Sequence, residues 1–377
     1  MKLLWEPSAE FRRQTNMTAY MNWLADTRGL KFADYTALQH WSVAHLETFW
    51  QSIWDYYRIQ STTPVVRVLS SHAMPGAQWF AGASLNFAEH IFRGRGDHRP
   101  ALLAADEQHD LRELSWADLE ARVASVAGYL RDLGVTPGDR VVAYLPNIPE
   151  ALVAFLAASA IGAVWSSCSP DFGTNSVVDR FQQIAPKVLI AVDGYGYNGK
   201  TIDRVAELGQ LQAALPSLER ILLIDHRGGA GRCGLAGVDA WDQVLARSVG
   251  PLHFEPVPFD HPLWVLYSSG TTGIPKAITH SHGGVLLEQL KHLGLHCDVK
   301  PGDRFFWYST TGWVMWNIGL SVLLLGAVPV IYDGNPGYPA QNRLWAMAER
   351  ARLTHFGTGA AYLIACMKAG LKPGSDF

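Results

Sequence analysis

The sequence predicts an α/β protein built from two related, mostly parallel sheets with helices, preceded by a helical, aromatic-rich segment. Three observations predict this class. Apolar strand-like runs alternate with helical segments, the alternation occurs twice at a fixed offset, and a stripe of aromatic residues at helical spacing precedes both copies. With 48% hydrophobic and 17% charged residues, the 377-residue chain is long enough for more than one core.

The N-terminal segment, residues 1–90, is predicted to form a helical cap. One helical face carries large apolar side chains, which we expect to be core rather than a ligand site. The residues of this face are Leu46, Phe49, Trp50, Ile53, Trp54 and Tyr57. The run Met74–Glu89, rich in glycine and interrupted by proline, is predicted to be an extended connector. It would pack on the body through Trp79, Phe80 and Leu85.

Residues 91–377 contain an internal repeat. The segment VTPGDRVVAY, which begins at Val135, resembles VKPGDRFFWY, which begins 164 residues later at Val299. The same offset relates two Gly-Ala-Val sequences and the apolar runs that begin at Leu189 and Leu353. Three landmarks in one register predict a duplicated structural unit.

Each copy, about residues 135–193 and 299–357, reads as turn, strand, helix, strand, helix, strand. Pro-Gly-Asp is typical of the opening turn. The predicted elements of the two copies are the strands Val141–Leu145 and Phe305–Tyr308, the crossover helices Pro149–Ala160 and about Trp316–Leu325, and the second helices Asn175–Ile184 and Asn342–Arg352. Such alternation predicts parallel strands with right-handed crossovers, and ligands bind at the carboxyl ends of strands in these folds.

Between the copies, the segment Tyr267–His280 (YSSGTTGIPKAITH) concentrates groups that bind anionic oxygen atoms. An apolar strand from Pro262 leads in, and Ala277–Thr279 reads as a short strand leading out. Glycines permit a close backbone approach, hydroxyl groups donate hydrogen bonds, and Lys276 supplies positive charge. The residues predicted to bind the phosphates of ATP are Ser268, Ser269, Gly270, Thr271, Thr272, Gly273 and Lys276. It is not a Walker A loop, because the lysine follows proline and precedes a strand.

Composition excludes several function classes. The net charge of −3 and a pI of about 6.5 give no basic field for nucleic acid. The four cysteines are widely spaced, so we predict buried thiols in a reducing cytoplasm rather than zinc ligands or disulfides. The most hydrophobic stretch, Ala151–Cys168, is predicted to be a buried helix turning into a strand rather than a membrane span.

The segment SSGTTGIPK, Ser268–Lys276, resembles the phosphate-loop signature of the adenylate-forming superfamily of acyl-CoA synthetases, luciferases and peptide-synthetase adenylation domains. Other segments resemble the short-chain branch of this superfamily, and most closely the acetoacetyl-CoA synthetases. These segments are Trp5–Pro7, Tyr20–Leu24, Trp41–Val43, Phe49–Trp50, Met74–Phe80, Tyr197–Lys200 and Ser309–Trp316.

The resemblance implies two half-reactions: an acid carboxylate attacks the α-phosphate of ATP, and the thiol of CoA then attacks the acyl-adenylate and releases AMP. It implies acetoacetate, ATP, CoA and Mg²⁺ as ligands, with Lys276 as the catalytic residue at the phosphates. Trp313, Val314 and Met315 would form a small apolar acyl pocket, and Asn317 would donate to the keto oxygen. Lys200 lies where short-chain synthetases place a basic residue for a CoA phosphate.

Simpler interpretations remain open for several of these residues. The segment Trp313–Met315 could pack the core, and Lys200 could be an ordinary solvated lysine. His280 and His282 are expected to pack or to line a substrate wall, because this chemistry demands no histidine base. No residue is assigned as a metal ligand.

Some family motifs are not found in this sequence. They are the Tyr-Gly-x-Thr-Glu motif, a ribose-binding aspartate, a Gly-Arg hinge and a C-terminal domain with a catalytic lysine. Residues 91–377 are therefore expected to be an incomplete adenylation domain, and the 377-residue chain alone is expected to make acetoacetyl-CoA poorly. An acetyl- or propionyl-CoA synthetase and a non-catalytic nucleotide- or acyl-binding remnant are the alternatives. Small molecules are the expected partners, and the oligomeric state stays open.

Overall fold

A computed structural model describes residues 5–95, 98–248, 250–268 and 273–377. The strands are β1 Arg67–Leu69, β2 Trp79–Ala81, β3 Ser84–Leu85, β4 Leu102–Asp106, β5 Arg112–Leu114, β6 Arg140–Tyr144, β7 Val164–Cys168, β8 Val188–Val192, β9 Gly194–Tyr197, β10 Lys200–Asp203, β11 Arg220–Ile224, β12 Val238–Ala240, β13 Val257–Pro258, β14 Pro262–Ser268, β15 Lys276–Ser281, β16 Arg304–Trp307, β17 Val328–Asp333 and β18 His355–Gly357.

The α-helices alternate with these strands over most of the chain. They are α1 Ala9–Gln14, α2 Asn16–Arg28, α3 Tyr35–Ala44, α4 Leu46–Tyr56, α5 Phe87–Arg93, α6 Trp116–Asp132, α7 Pro149–Ala160, α8 Thr174–Phe181, α9 Val205–Ala214, α10 Trp241–Leu245, α11 His282–Gln289, α12 Val314–Leu320, α13 Arg343–Ala351, α14 Ala360–Lys368 and α15 Pro373–Asp376. Short 3₁₀ segments cover Gln182–Ile184, Ala230–Arg232 and Ser321–Leu325, and a π-helix covers Leu290–His296.

Two sheets form the frame of the molecule. The first has seven strands in the order β12-β11-β8-β6-β7-β14-β15, and the second has five in the order β18-β16-β17-β4-β5. Neighbouring strands are parallel except in the hairpins β14–β15 and β4–β5. The predicted α/β class is confirmed.

Helices cover both faces of both sheets. Alternate residues of the first sheet, such as Val141 and Val142, belong to different cores, because successive side chains of a strand point to opposite faces. Helices α8 and α9 cover the outer face of the first sheet, and α13 and α14 cover that of the second. Between the sheets lies α7, which is buried along most of its length because it is apolar on all sides.

The repeat predicted from the sequence is present. The strands β6, β7 and β8 take the same order in the first sheet as β16, β17 and β18 take in the second. The third landmark was placed wrongly. Val188 pairs with Val141 in the first sheet, and His355 pairs with Phe305, the equivalent of Val141, in the second. The equivalent positions are therefore Val188 and His355, not Leu189 and Leu353. The offset there is 167 residues rather than 164, so the second copy carries three additional residues before its last strand.

Each sheet is completed by a hairpin from the other copy. The hairpin β14–β15, which precedes the second copy, pairs with β7 of the first. The hairpin β4–β5, which precedes the first copy, pairs with β17 of the second. The two halves therefore exchange their N-terminal hairpins.

Most predicted element boundaries agree with the structure to within one or two residues. The crossover helix Pro149–Ala160 is confirmed as predicted. Its counterpart, predicted over about Trp316–Leu325, is helical throughout, but α12 begins two residues earlier at Val314 and the last five residues form a 3₁₀ turn from Ser321. The helix predicted over Asn175–Ile184 likewise tightens into a 3₁₀ turn in its last three residues.

The aromatic face predicted in the N-terminal segment is core only in part, because Phe49, Trp50 and Tyr57 are partly buried against the core and Leu46 does not belong to it. Ile53 and Trp54 of α4 are buried in the same cluster as residues of both halves of the body. The ring of Trp54 stacks on Phe80 with centroids 4.7 Å apart. The segment Met74–Glu89 is not extended throughout, because α5 begins at Phe87 with Asn86 as its N-cap.

The hydrophobic stretch Ala151–Cys168 forms α7 followed by β7, as predicted. Among the described residues, no helix combines the length and the apolar character needed to cross a membrane. Cys168 and Cys366 are buried thiols as predicted, whereas Cys233 and Cys297 are only half-buried.

Candidate active site

Loops that follow strands of both sheets meet at one place. Asn147, in the loop after β6, is buried and donates from Nδ2 to the carbonyl oxygens of Ser309 and Tyr332, each at 3.3 Å. Its Oδ1 accepts a hydrogen bond from Nε1 of Trp316 at 3.0 Å. Asn147 thus joins the two sheets at the edge where α/β folds bind ligands. The sequence analysis missed this residue, although its position matches that of Thr311 in the repeat.

A cavity of about 350 Å³ opens beside Asn147. Its walls come from the loops after β6, β7 and β16, from the end of β17 and from β9. Asp333, the last residue of β17, lines the cavity and accepts a hydrogen bond from the backbone N–H of Asn147 at 3.2 Å. Burial raises the pKa of Asp333 to about 7. This carboxyl group therefore changes its charge near neutral pH, and the sequence analysis missed it.

The phosphate-loop segment connects β14 to β15. Ser268 and Lys276 face each other as register partners at the loop end of this hairpin. Lys276 is exposed, and no ion pair found among the described residues involves it. Gly273 has a φ of 146°, a conformation that side chains disfavour. The predicted phosphate-binding residues Ser269, Gly270, Thr271 and Thr272 lie outside the described residues.

Helix α8 and the turn after it support this hairpin. Tyr267 donates from Oη to the carbonyl oxygen of Arg180 at 2.8 Å, and Gln183 donates from Nε2 to that of Pro275 at 2.9 Å. The guanidinium of Arg180 lies 5.0 Å from the ring centre of Phe172 and 5.9 Å from that of Tyr267. A second cation therefore lies near the base of the phosphate loop. The sequence analysis missed Arg180 because it lies far away along the chain.

Two adjacent serines of β7 connect the phosphate-loop strand with the predicted acyl segment. Ser166 donates from Oγ to the carbonyl oxygen of Val265 in β14 at 2.8 Å. Ser167 donates from Oγ to the carbonyl oxygen of Thr311 at 2.7 Å. The structure therefore brings the strand of the phosphate loop and the segment of Thr311 to the same strand, β7, although they are about forty residues apart in sequence.

The segment after Thr311 divides into an exposed and a buried part. Trp313 and Val314 are 54% and 45% exposed, and Met315 is half-buried. Trp316 is buried, with its ring 6.4 Å from that of Trp165. The core interpretation of Trp313 and Val314 is therefore wrong, because these side chains face outward.

Asn317, predicted to read a keto oxygen, is fully buried in α12. Neither Nδ2 nor Oδ1 of its amide has a hydrogen-bond partner among the described residues. A buried amide without partners is costly, so this side chain can gain from a ligand or a water molecule.

Lys200 lies in the hairpin β9–β10, where it pairs with Tyr197 directly beside the turn. Its side chain is exposed, while Tyr197 lines the cavity beside Asn147. Lys200 is therefore the cross-strand neighbour of a residue of the cavity wall.

The two histidines after the phosphate loop differ in burial, since His282 is buried and His280 is exposed. Nδ1 of His282 accepts a hydrogen bond from the backbone N–H of Phe87 at 3.1 Å. Burial lowers the pKa of His282 to about 3, so the ring is neutral. His280 accepts a hydrogen bond at Nδ1 from Nε1 of Trp264 at 3.1 Å. Within the described part of the chain, no group of three or more His, Cys, Asp or Glu side chains could hold a metal ion.

Comparison with known proteins identifies the family of this fold and phosphate loop. Residues 89–376 match the family model of the AMP-binding enzymes. The chain belongs to the AMP-binding enzyme family. Residues 35–91 of this AMP-binding enzyme also match a model described as the acetyl-coenzyme A synthetase N-terminus.

Acetoacetyl-CoA synthetases are among the similar proteins, which confirms the resemblance seen in the sequence. This AMP-binding enzyme is 40% identical to acetoacetyl-coenzyme A synthetase of Rhizobium meliloti over 98% of its own length. It is 38% identical to acetoacetyl-CoA synthetase of Gallus gallus over 99% of its length. A solved structure of acetoacetyl-CoA synthetase from Streptomyces lividans superposes on the whole chain with a TM-score of 0.95 and 51% identity.

The chain spans little more than half the length of these relatives. It covers 57% of the Rhizobium meliloti and Gallus gallus proteins and 58% of the Streptomyces lividans chain. These relatives therefore have more polypeptide than the 377 residues of this sequence.

Proposed function

We propose that this AMP-binding enzyme acts as an ATP-dependent acid–thiol ligase. It would convert acetoacetate, ATP and CoA into acetoacetyl-CoA, AMP and diphosphate through an acyl-adenylate. The observation that carries the proposal is that β7 holds the strand of the phosphate loop beside the segment of Trp313. A phosphate-binding loop beside an apolar acid site is what the first half-reaction requires. The names of the relatives support acetoacetate as the acid.

The phosphates of ATP are assigned to the loop that follows Ser268. Lys276 is exposed and free of ion pairs among the described residues, so its ammonium group can neutralise a phosphate. Arg180 lies near the base of the same hairpin and can add to this positive field. Because charge develops on the departing diphosphate, these cations would stabilise the transition state more than the bound ATP.

The acid is assigned to the surface formed by Trp313, Val314 and Met315. Two of these apolar side chains are exposed, which is unfavourable unless something covers them. The amide of Asn317 is buried and unpaired one turn further along the same helix, and it would be the donor for the keto oxygen of acetoacetate. An apolar wall with one amide suits a four-carbon keto acid better than acetate or propionate.

The thiol substrate is assigned to the side of the cavity near Lys200. The exposed ammonium group of Lys200 would pair with a CoA phosphate. In this second half-reaction a carbon–sulfur bond forms, the carbon–oxygen bond to AMP breaks, and the thiol proton leaves. Mg²⁺ would arrive with the nucleotide, because substrate phosphates supply many of its ligands in such sites. A cytoplasmic location would suit these soluble substrates.

The test uses the full-length protein that the gene encodes. Diphosphate exchange into ATP is measured with acetoacetate, acetate and propionate, and AMP release is then measured with CoA. We expect acetoacetate to give the highest kcat/KM. A higher kcat/KM with acetate or propionate would assign that acid as the substrate in place of acetoacetate. ATP binding without any diphosphate exchange would favour a non-catalytic binding protein.

A further inference from the structure

The hairpin β9–β10 lies at the cavity without belonging to either large sheet. Its two strands pair only with each other among the described residues. Its base is fixed to the first half of the molecule, since Arg204 donates from its backbone N–H to the carbonyl oxygen of Asp193 at 2.8 Å. Arg204 also donates from Nε to the carbonyl oxygen of Pro170 at 2.8 Å. A two-stranded hairpin fixed only at its base is marginally stable in water.

The tip of this hairpin is held by a residue from a loop of the second sheet. Glu107, in the loop between β4 and β5, accepts hydrogen bonds from the backbone N–H groups of Asn198 at 2.7 Å and Gly199 at 2.8 Å. The same carboxylate accepts a third hydrogen bond from the backbone N–H of Asn335 at 2.6 Å. One carboxylate therefore joins the hairpin tip to the loop after β17.

The turn is shaped for this contact. Asn198 and Gly199 have φ values of 54° and 72°, the left-handed pair typical of an Asn-Gly hairpin turn. A side chain at Gly199 would lie 2.4 Å from Oη of Tyr338, so the tip packs directly on the loop after β17. Asn335 also donates from Nδ2 to Oδ1 of Asn198 at 3.3 Å.

The hairpin carries two features of the proposed thiol site. Tyr195 and Tyr197 of β9 line the cavity, and Lys200 follows the turn by one residue. Any movement of the tip therefore displaces the cavity wall and Lys200 together. Hydrogen bonds to an ionised carboxylate are among the stronger ones, so Glu107 can hold this geometry before the ligand arrives.

We propose that Glu107 is a positioning residue for the thiol substrate. Its hydrogen bonds, called here the clasp, connect the tip of the hairpin β9–β10 to the loop after β17. They thereby fix the positions of Lys200, Tyr195 and Tyr197. Glu107 acts through the hairpin and is not itself a catalytic residue. The inference rests on the proposed function in naming CoA as the ligand. The clasp itself rests on the three hydrogen bonds alone.

The experiment compares Glu107→Ala and the milder Glu107→Gln with Glu113→Gln, which removes an exposed carboxylate from the neighbouring strand β5. Hydrogen exchange is measured at the amides of Asn198, Gly199 and Asn335 in each variant. We expect exchange at these amides to rise about tenfold or more in the two Glu107 variants and to stay unchanged in the control.

Affinity for CoA is measured in the same variants by equilibrium binding and, with the encoded full-length protein, as KM. Both constants should rise about tenfold in the Glu107 variants, while acetoacetate-dependent diphosphate exchange stays within about twofold. A merely structural role would lower both half-reactions together.

The possible outcomes separate the two proposals. Unchanged exchange at the three amides would show that the clasp is absent. Released amides with unchanged CoA affinity would overturn the positioning role even if the ligase proposal stood. A wild-type protein that binds no CoA would overturn both. Absence of diphosphate exchange in the wild type would remove the ligase proposal, while the hydrogen-exchange and CoA-binding measurements would still decide the role of Glu107.

Discussion

Asn147 and Thr311 make reciprocal hydrogen bonds across the junction of the two sheets. Asn147 donates from Nδ2 to the carbonyl oxygen of Ser309 at 3.3 Å, and Thr311 donates from Oγ1 to that of Leu145 at 2.6 Å. Both the donors and the acceptors are related by the 164-residue offset of the repeat. The side chains differ, yet each reaches the backbone of the other copy at the equivalent position.

Substitution of Thr311 by valine should destabilise the protein. The change keeps the volume but leaves the buried carbonyl oxygen of Leu145 without this donor, at a cost of about 1 to 2 kcal/mol. Urea unfolding of the variant measures the loss. Thr310→Val is the matched control, because Oγ1 of Thr310 has no partner among the described residues. Equal losses in the two variants would contradict a specific role for the bond of Thr311.

Asn147→Ala should cost more than Thr311→Val. It removes two donated hydrogen bonds and leaves Nε1 of buried Trp316 unpaired, at a cost of about 2 to 4 kcal/mol. The loss in free energy of unfolding in the double variant should differ from the sum of the two single losses, because both side chains bridge the same junction. Strict additivity in denaturant unfolding would argue that the two bonds are independent.

Stability should depend on pH through Asp333. The ordinary pKa of 3.8 applies in the unfolded chain, while burial raises the pKa to about 7 in the folded protein. Between these values the folded state binds more protons, so the free energy of unfolding falls as pH rises through this window and levels off above it. The neighbouring charges of Asp106, Glu107 and Arg227 act on the same carboxyl group.

Asp333→Asn should therefore flatten this pH dependence. We expect the variant to match the wild type near pH 4 and to exceed its stability at pH 8 by roughly 4 kcal/mol, since each unit of pKa shift is worth about 1.4 kcal/mol. Urea unfolding at a series of pH values measures both. Asp26→Asn, which changes an exposed carboxylate, should leave the slope unaltered. A variant of Asp333 that keeps the wild-type slope would show that another group is responsible.

Lys276→Ala should lower adenylation without harming the fold. Loss of one charge that stabilises the departing phosphates typically lowers the rate by ~100-fold or more. The free energy of unfolding should change by less than about 0.5 kcal/mol, because the side chain is exposed. Acetoacetate-dependent diphosphate exchange in the full-length protein gives the rate, with exposed Lys368→Ala in α14 as control. Wild-type exchange in Lys276→Ala would remove this lysine from the site.

Two tryptophans of one segment should respond in opposite ways to truncation. Trp316→Ala should destabilise the protein by about 3 to 5 kcal/mol, since it empties a buried site against Trp165. Trp313→Ala should change stability by less than about 1 kcal/mol, since the side chain is 54% exposed. It should instead raise the KM for acetoacetate. Thermal unfolding and steady-state kinetics distinguish the two effects, and a normal KM in Trp313→Ala would count against the acyl assignment.

The repeat made much of the fold predictable from sequence. Pro-Gly-Asp turns and apolar runs specify local structure twice, so the first strand of each copy was placed to within one residue and the helix Pro149–Ala160 was placed correctly. The exchange of hairpins was not predictable, because no local pattern encodes which sheet β4 or β14 joins. The three-residue shift before β18 was missed because Leu353 is apolar but precedes the strand.

Candidate residues for the site could be named from the sequence where they adjoin a motif and not elsewhere. Lys276 and Trp313 stand in recognisable segments, and the structure leaves both exposed. Glu107, Asn147 and Arg180 act through backbone groups and ring faces distant in sequence, which no spacing rule reveals. The burial of an amide such as that of Asn317 depends likewise on packing between elements.

The exchanged hairpins also bear on how such a chain could arise. A single copy of the repeat would have a hairpin that its own sheet cannot accept and a sheet that lacks its last strands. Two identical copies would complete each other about a twofold axis, as in a domain-swapped homodimer. Fusion of the two genes would then preserve an association that already existed between separate subunits. In that history the cleft between the sheets began as a subunit interface.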